Sequence, residues 1–190
     1  MARRHSVSAE SGESADAPTP PPHRRNDLAE AACLVNRQRT VPANWERIRT
    51  FLKRLSGGTG GAVFTVCVVS DRVIRRYNRQ FRNQNEATDV LSFPLQEAGQ
   101  HTAAYLGDIL ISAETARRNA ARFGLRLEEE MQLLALHGVL HLLGHDHETD
   151  GGRMARLERR WCAQLGLPRG LTERSPRPRA GKPQRGGRRR

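Results

Sequence analysis

No stretch of the chain holds enough consecutive apolar residues to span a bilayer. The N-terminus also lacks the apolar core that a secretory signal needs. Neither a membrane protein nor a secreted one is expected. Cysteine is sparse: Cys33, Cys67 and Cys162 lie far apart, odd in number and without a Cys-x-x-Cys pair. This excludes a disulfide framework and a thiolate metal site, and it suits reduced core thiols in a cytosolic protein. Arg3, Arg4 and several serines would fit an organelle presequence, but Glu10, Glu13 and Asp16 argue against one.

What is present is an apolar middle between polar ends. Mean hydropathy is −0.67 and 27 % of residues are charged, yet a 37 % hydrophobic content supplies a core once the ends are set aside. Residues 1–30 are rich in Ser, Glu, Ala and Pro, and Pro18 with Pro20 to Pro22 opposes regular structure, so a flexible leader is expected. Residues 31–167 are expected to form one folded domain. Residues 168–190 read as a disordered basic tail. From Arg169 to Arg190, nine Lys or Arg face a single Glu, which accounts for most of the net charge of +12. Such a tail is attracted to polyanions, nucleic acid above all, and a purely solubilising tail is the plainer alternative.

Within the middle, Cys33 to Val35 reads as a short strand. Asn44 stands where a helix N-cap belongs, and Trp45, Ile48, Leu52 and Leu55 recur at helical intervals up to Ser56-Gly57-Gly58. Ala62 to Ser70 is β-branched and almost continuously apolar, the mark of a strand buried on both faces. Asp71 is placed to cap a basic helix running through Arg79. Val90 to Phe93, ended by Pro94, and Tyr105 to Ser112 are further strands. Ala113 to Phe123 is a helix stopped by Gly124, and a long helix begins near Leu127. Asp150 to Leu165 is the final helix, with Met154, Leu157, Trp161 and Leu165 on one face. Strands and helices alternate early and helices dominate late. The expected fold is α/β (α+β-like), a single compact domain with a small mixed sheet packed by helices.

The long helix carries the chemistry. His137 and His141 lie four apart in a run of Leu, Ala and Val, so their imidazoles share one face, one turn apart. Gly144 interrupts the helix as a C-terminal glycine does, and His147 follows where a turned chain can aim a third ring at the same point. Two histidines at this spacing also occur without any ligand role; a third after a well-placed glycine is harder to reach by chance. Three neutral imidazoles with an open fourth position suit a catalytic zinc, although nickel or another divalent ion can also occupy such a site. The spacing is that of the metzincin proteases, but the position of their general base, directly after the first histidine, is Gly138. Without that carboxylate the attacking water has no proton acceptor, so an ordinary peptide bond is not the expected substrate.

The run from His137 to His147, with Leu140, Leu142, Gly144 and Asp146 between, resembles the signature of the YbeY family of rRNA maturation factors. Two more blocks carry the resemblance: Asn78, Phe81-Arg82 and Thr88 through Pro94, then Leu106-Gly107-Asp108-Ile109. It covers residues 33–167. The resemblance implies one zinc ion on His137, His141 and His147, and a part for Arg82 in RNA cleavage. It further implies a cytoplasmic, single-strand-specific endoribonuclease acting at the 3′ end of small-subunit rRNA and in ribosome quality control. The implied partners are single-stranded RNA, rRNA and the ribosomal small subunit, with no membrane and no DNA specificity. Two stretches depart from the family pattern: Gln84-Asn85-Glu86-Ala87 replaces a common Lys-Asp-x-Pro, and His145 stands where an aromatic residue is common.

RNA brings its own nucleophile, the 2′-hydroxyl, and a phosphodiester that a cation can polarise. Arg82 offers a planar fork for two phosphate oxygens; a solvated arginine at a helix end is its plainer reading. No proton acceptor is assigned among Asp89, Asp108 and Asp146, and Asp146 can equally cap the turn after Gly144. A ribosome-associated binding factor with a mainly structural metal, and a metal hydrolase of another substrate, are the alternative functions.

Overall fold

The computed structural model describes residues 32–95 and 105–174. The expected leader and residues 175–190 of the expected tail lie outside that range. The chain forms a four-stranded sheet of β1 (Ala32–Asn36), β2 (Val63–Val69), β3 (Val90–Pro94) and β4 (Tyr105–Ser112), in the order β1-β2-β4-β3. β1, β2 and β4 are parallel, and β3 pairs antiparallel to β4 as one of the two edge strands.

The near-continuous apolar run in β2 has the reason anticipated from its composition. Phe64, Val66 and Val68, with Ile109 and Ile111 of β4, face one core. Cys67 and Val69, with Leu110 and Leu91, face a second core on the other side. The first core is closed by α1 (Trp45–Gly58), α3 (Ala113–Phe123), α4 (Leu127–Leu142) and α5 (Arg153–Leu165). The second is covered by α2 (Asp71–Arg82) through the fully buried Ile74. Asn44 does cap α1, accepting the Arg47 N–H at 3.0 Å.

Helix α4 is the axis of the domain. Every residue from Glu130 to Leu140 is buried, as befits a helix that is apolar nearly all round. Its close fit against the sheet depends on Gly138, where a Cβ would lie 2.7 Å from Ile109 Cγ2. A side chain at position 138, the glutamate of a protease included, would have to displace Ile109 from the core.

Three local expectations are corrected. Asp71 is not the cap of α2: it is the first helical residue, and its carboxylate accepts from the Ser112 and Thr115 hydroxyls and pairs with Arg118 at 2.9 Å. The helix runs one turn further than Arg79, through Arg82, and ends at Asn83 in a left-handed conformation (φ 57°). Asp150 precedes α5 instead of beginning it, and accepts the N–H groups of Gly152, Arg153 and Met154 at 2.7–3.0 Å.

The boundary expected at residue 167 also moves. Leu171–Arg174 form a short helix, α6. Arg174 is the reason it docks: its guanidinium reaches Glu130 of α4 at 2.6 Å, lies 4.6 Å from the Phe123 ring centroid, and donates to the Arg169 carbonyl. An arginine that the sequence assigned to a solvated tail is almost buried.

Candidate metal centre

The last two turns of α4 present His137 and His141, and the helix stops at Leu142. Gly144 takes φ 86°, a conformation open to glycine at little cost, and turns the chain back so that His147 returns to the same point. The ring centroids stand 4.7, 5.3 and 5.5 Å apart. One nitrogen from each ring lies within 4.8 Å of the other two, and the facing Nε2 atoms of His137 and His141 are 3.1 Å apart. Tetrahedral zinc bonds of ~2.0–2.1 Å separate neighbouring ligand nitrogens by ~3.3 Å. The donor set fits a divalent ion with three imidazole ligands.

The protonation pattern is fixed by a residue that the sequence reading did not single out. His137 is 7 % exposed, and its Nδ1 lies 2.9 Å from Glu158 Oε1 on α5. Burial pushes the Glu158 carboxyl up, but hydrogen bonds from His137 and Thr172 outweigh it and hold the group below its ordinary range. An ionised carboxylate only accepts, so His137 Nδ1 carries the proton and Nε2 keeps its lone pair for a metal. The other Glu158 oxygen takes the Thr172 N–H at 2.9 Å and the Thr172 hydroxyl at 2.5 Å. α6 thus clasps the carboxylate that orients the buried histidine. Burial and the neighbouring rings of His137 and His147 hold His141 down at about 4, so that it stays neutral near pH 7. A signal for Glu158 did exist: it falls four residues after Met154 and four before Cys162, an acid in the buried stripe of α5.

The three rings open onto a cleft of ≈ 780 Å³. Its wall includes Arg82 from the end of α2, Phe93 from edge strand β3, and Leu171 and Thr172 from α6. Arg82 is exposed. The expected acids have local work. Asp146 accepts the Glu148 N–H and the Thr149 hydroxyl, which hold it below its usual range and stabilise the turn. Asp89 accepts from Val90 N–H and Asn119, and Asp108 accepts from the Tyr105 hydroxyl at 2.6 Å. His145 lines the same cleft. Cys67 and Cys162 are buried and pushed up to about 11 and about 12 by that burial, as inert core residues are.

Fold and site together define a class, a single α/β domain with three converging histidines at the end of its central helix that could hold a metal ion. The family model described as Endoribonuclease YbeY matches residues 35–166, and the chain belongs to that family. An Endoribonuclease YbeY of Solibacter usitatus is 51 % identical over 139 residues, covering 72 % of this chain and 90 % of its own. One of Koribacter versatilis is 40 % identical over 147 residues, covering 76 % and 93 %. The fold is similar to the solution structure of TM1509 from Thermotoga maritima, with a TM-score of 0.51 and 26 % identity over 70 % of this chain and 88 % of that one. Among the described residues no helix is long and apolar enough to cross a membrane.

Proposed function

We propose that this protein is a zinc-dependent, single-strand-specific endoribonuclease of the cytoplasm, acting in 3′-end maturation of small-subunit rRNA and in ribosome quality control. The observation that carries the reading is the shared cleft: three converging imidazoles and Arg82 line one space, while a protease glutamate at position 138 would collide with Ile109. His137, His141 and His147 would hold the zinc, and the bound ion supplies a Lewis acid for a phosphoryl oxygen and lowers the pKa of water to ~7. Arg82 takes the phosphate oxygens and stabilises the charge that develops on them. Glu158 keeps His137 in the tautomer that points Nε2 at the site. The core is assembled around α4 from apolar contacts, which favours a catalytic metal over one that holds the fold together.

The test incubates metal-loaded protein with matched single-stranded and duplex RNA, beside a His141→Ala control. Cutting of the single strand alone, lost in the control, is expected. Equal cutting by both proteins would trace the activity to a contaminant. Mature small-subunit rRNA 3′ ends in cells depleted of this protein would remove the rRNA assignment.

A further inference from the structure

Helix α2 carries five arginines in twelve residues: Arg72, Arg75, Arg76, Arg79 and Arg82. At 3.6 residues per turn they fall on roughly one third of the circumference. The opposite stripe holds Ile74, Tyr77 and Asn78, and it faces the sheet. All five arginines are exposed. Among the described residues none of them stands in an ion pair. Arg75 donates to Asn85 Oδ1 at 3.1 Å, a neutral partner. The one carboxylate of the helix, Asp71, is already engaged by Ser112, Thr115 and Arg118.

Folding gives no reason for such a stripe. Like charges three and four residues apart repel on a helix surface, and a face that served solubility alone would mix signs. The stripe extends ~15 Å from Arg72 to Arg82 at ~1.5 Å per residue. It ends in the cleft, because Arg82 lines the same cleft as His137, His141 and His147. Phe81, 49 % exposed, stands beside it with its ring against the edge of Phe93 at 5.1 Å.

We infer that the arginine face of α2 is a docking track for the sugar–phosphate backbone of single-stranded RNA, feeding the strand into the metal cleft at Arg82. This rests on the reading of the cleft as an RNA-cleaving site. A linear array of guanidinium forks matches a polymer whose charges repeat along a line, and its continuity with the cleft sets the direction of approach.

The test replaces Arg72, Arg76 and Arg79 with Gln in the full chain. Arg82 is left for its proposed part in cleavage and Arg75 for its bond to Asn85. Gln matches Arg in helix propensity. A control replaces Arg47, Lys53 and Arg54 of α1, which packs on the opposite face of the sheet, with the same loss of charge. Binding of a labelled single-stranded RNA is followed against salt, with kcat and KM measured for cleavage. In the α2 variant, affinity at low salt is expected to fall on the order of 10-fold. The slope of log K against log salt should flatten by about 2, at ~0.7 for each phosphate that is no longer neutralised. KM should rise while kcat holds, and the α1 control should keep the parent slope. An unchanged slope, or an equal change in the control, overturns the track. So does a loss of polyglutamate binding with RNA binding intact, which would mark an acidic-protein surface. A parent protein that neither binds nor cuts RNA would instead overturn the reading of the cleft itself.

Discussion

At the scale of single residues, the proposed function divides the site into groups that would touch substrate and groups that would place them. Arg82 belongs to the first kind, exposed on the cleft wall with its charge free of any ion pair among the described residues. Arg82→Ala is expected to keep its zinc and lose cleavage by ~10²- to 10³-fold, the usual effect of removing one donor to developing charge. Undiminished turnover at equal zinc content would take Arg82 out of the mechanism. Glu158 belongs to the second kind. Glu158→Gln preserves size but not the charge that fixes the His137 tautomer. Zinc affinity, read by competition with a chromogenic chelator, should weaken ~10- to 100-fold. Parent-like affinity in a folded variant would show that the His137–Glu158 contact serves the fold alone.

Between elements, the decisive contact joins α6 to α4. The Arg174–Glu130 pair has side chains 11 % and 1 % exposed, so it lies almost wholly out of water. Burial raises the Glu130 pKa, and Arg174 opposes that shift. Removing one partner strands a buried charge, which typically costs ~3–5 kcal/mol. Arg174→Ala should therefore destabilise the protein by about that much in urea unfolding. Combining it with Glu130→Gln should recover part of the loss, because the stranded charge is gone. Since α6 also delivers Thr172 to Glu158, the single variant should bind zinc more weakly as well. A variant that loses neither stability nor zinc affinity would show α6 to be a passive turn.

For the whole molecule, the position of α6 separates two roles of the C-terminal region. Residues 175–190 contain seven Lys or Arg and no acid. A chain cut after Arg174 should keep zinc affinity and cut site while the salt dependence of RNA binding flattens. A chain cut after Pro168 should in addition lose zinc affinity and stability, because it loses the clasp on Glu158 and the partner of Glu130. Identical behaviour of the two truncations would contradict this division. A shifted cut site in the first would show that the tail guides specificity.

The sequence by itself determined most of the elements and the candidate ligands, because both are written in short-range pattern; α6, held by distant partners, was not among them. The largely β-branched, nearly continuous apolar run from Val63 to Val69 has the composition of a buried strand. The spacing of His137, His141, Gly144 and His147 prescribes a helix turn, a left-handed residue and a returning ring whatever surrounds them. Tertiary structure decided the partners. Glu158 meets His137 from 21 residues away, Arg174 meets Glu130 from 44, and Asp71 leaves its own helix end for α3. A carboxylate or guanidinium is drawn to whichever opposite charge or donor the packing brings within reach. No local periodicity encodes that meeting, because it exists only once the sheet and α4 have brought distant segments together.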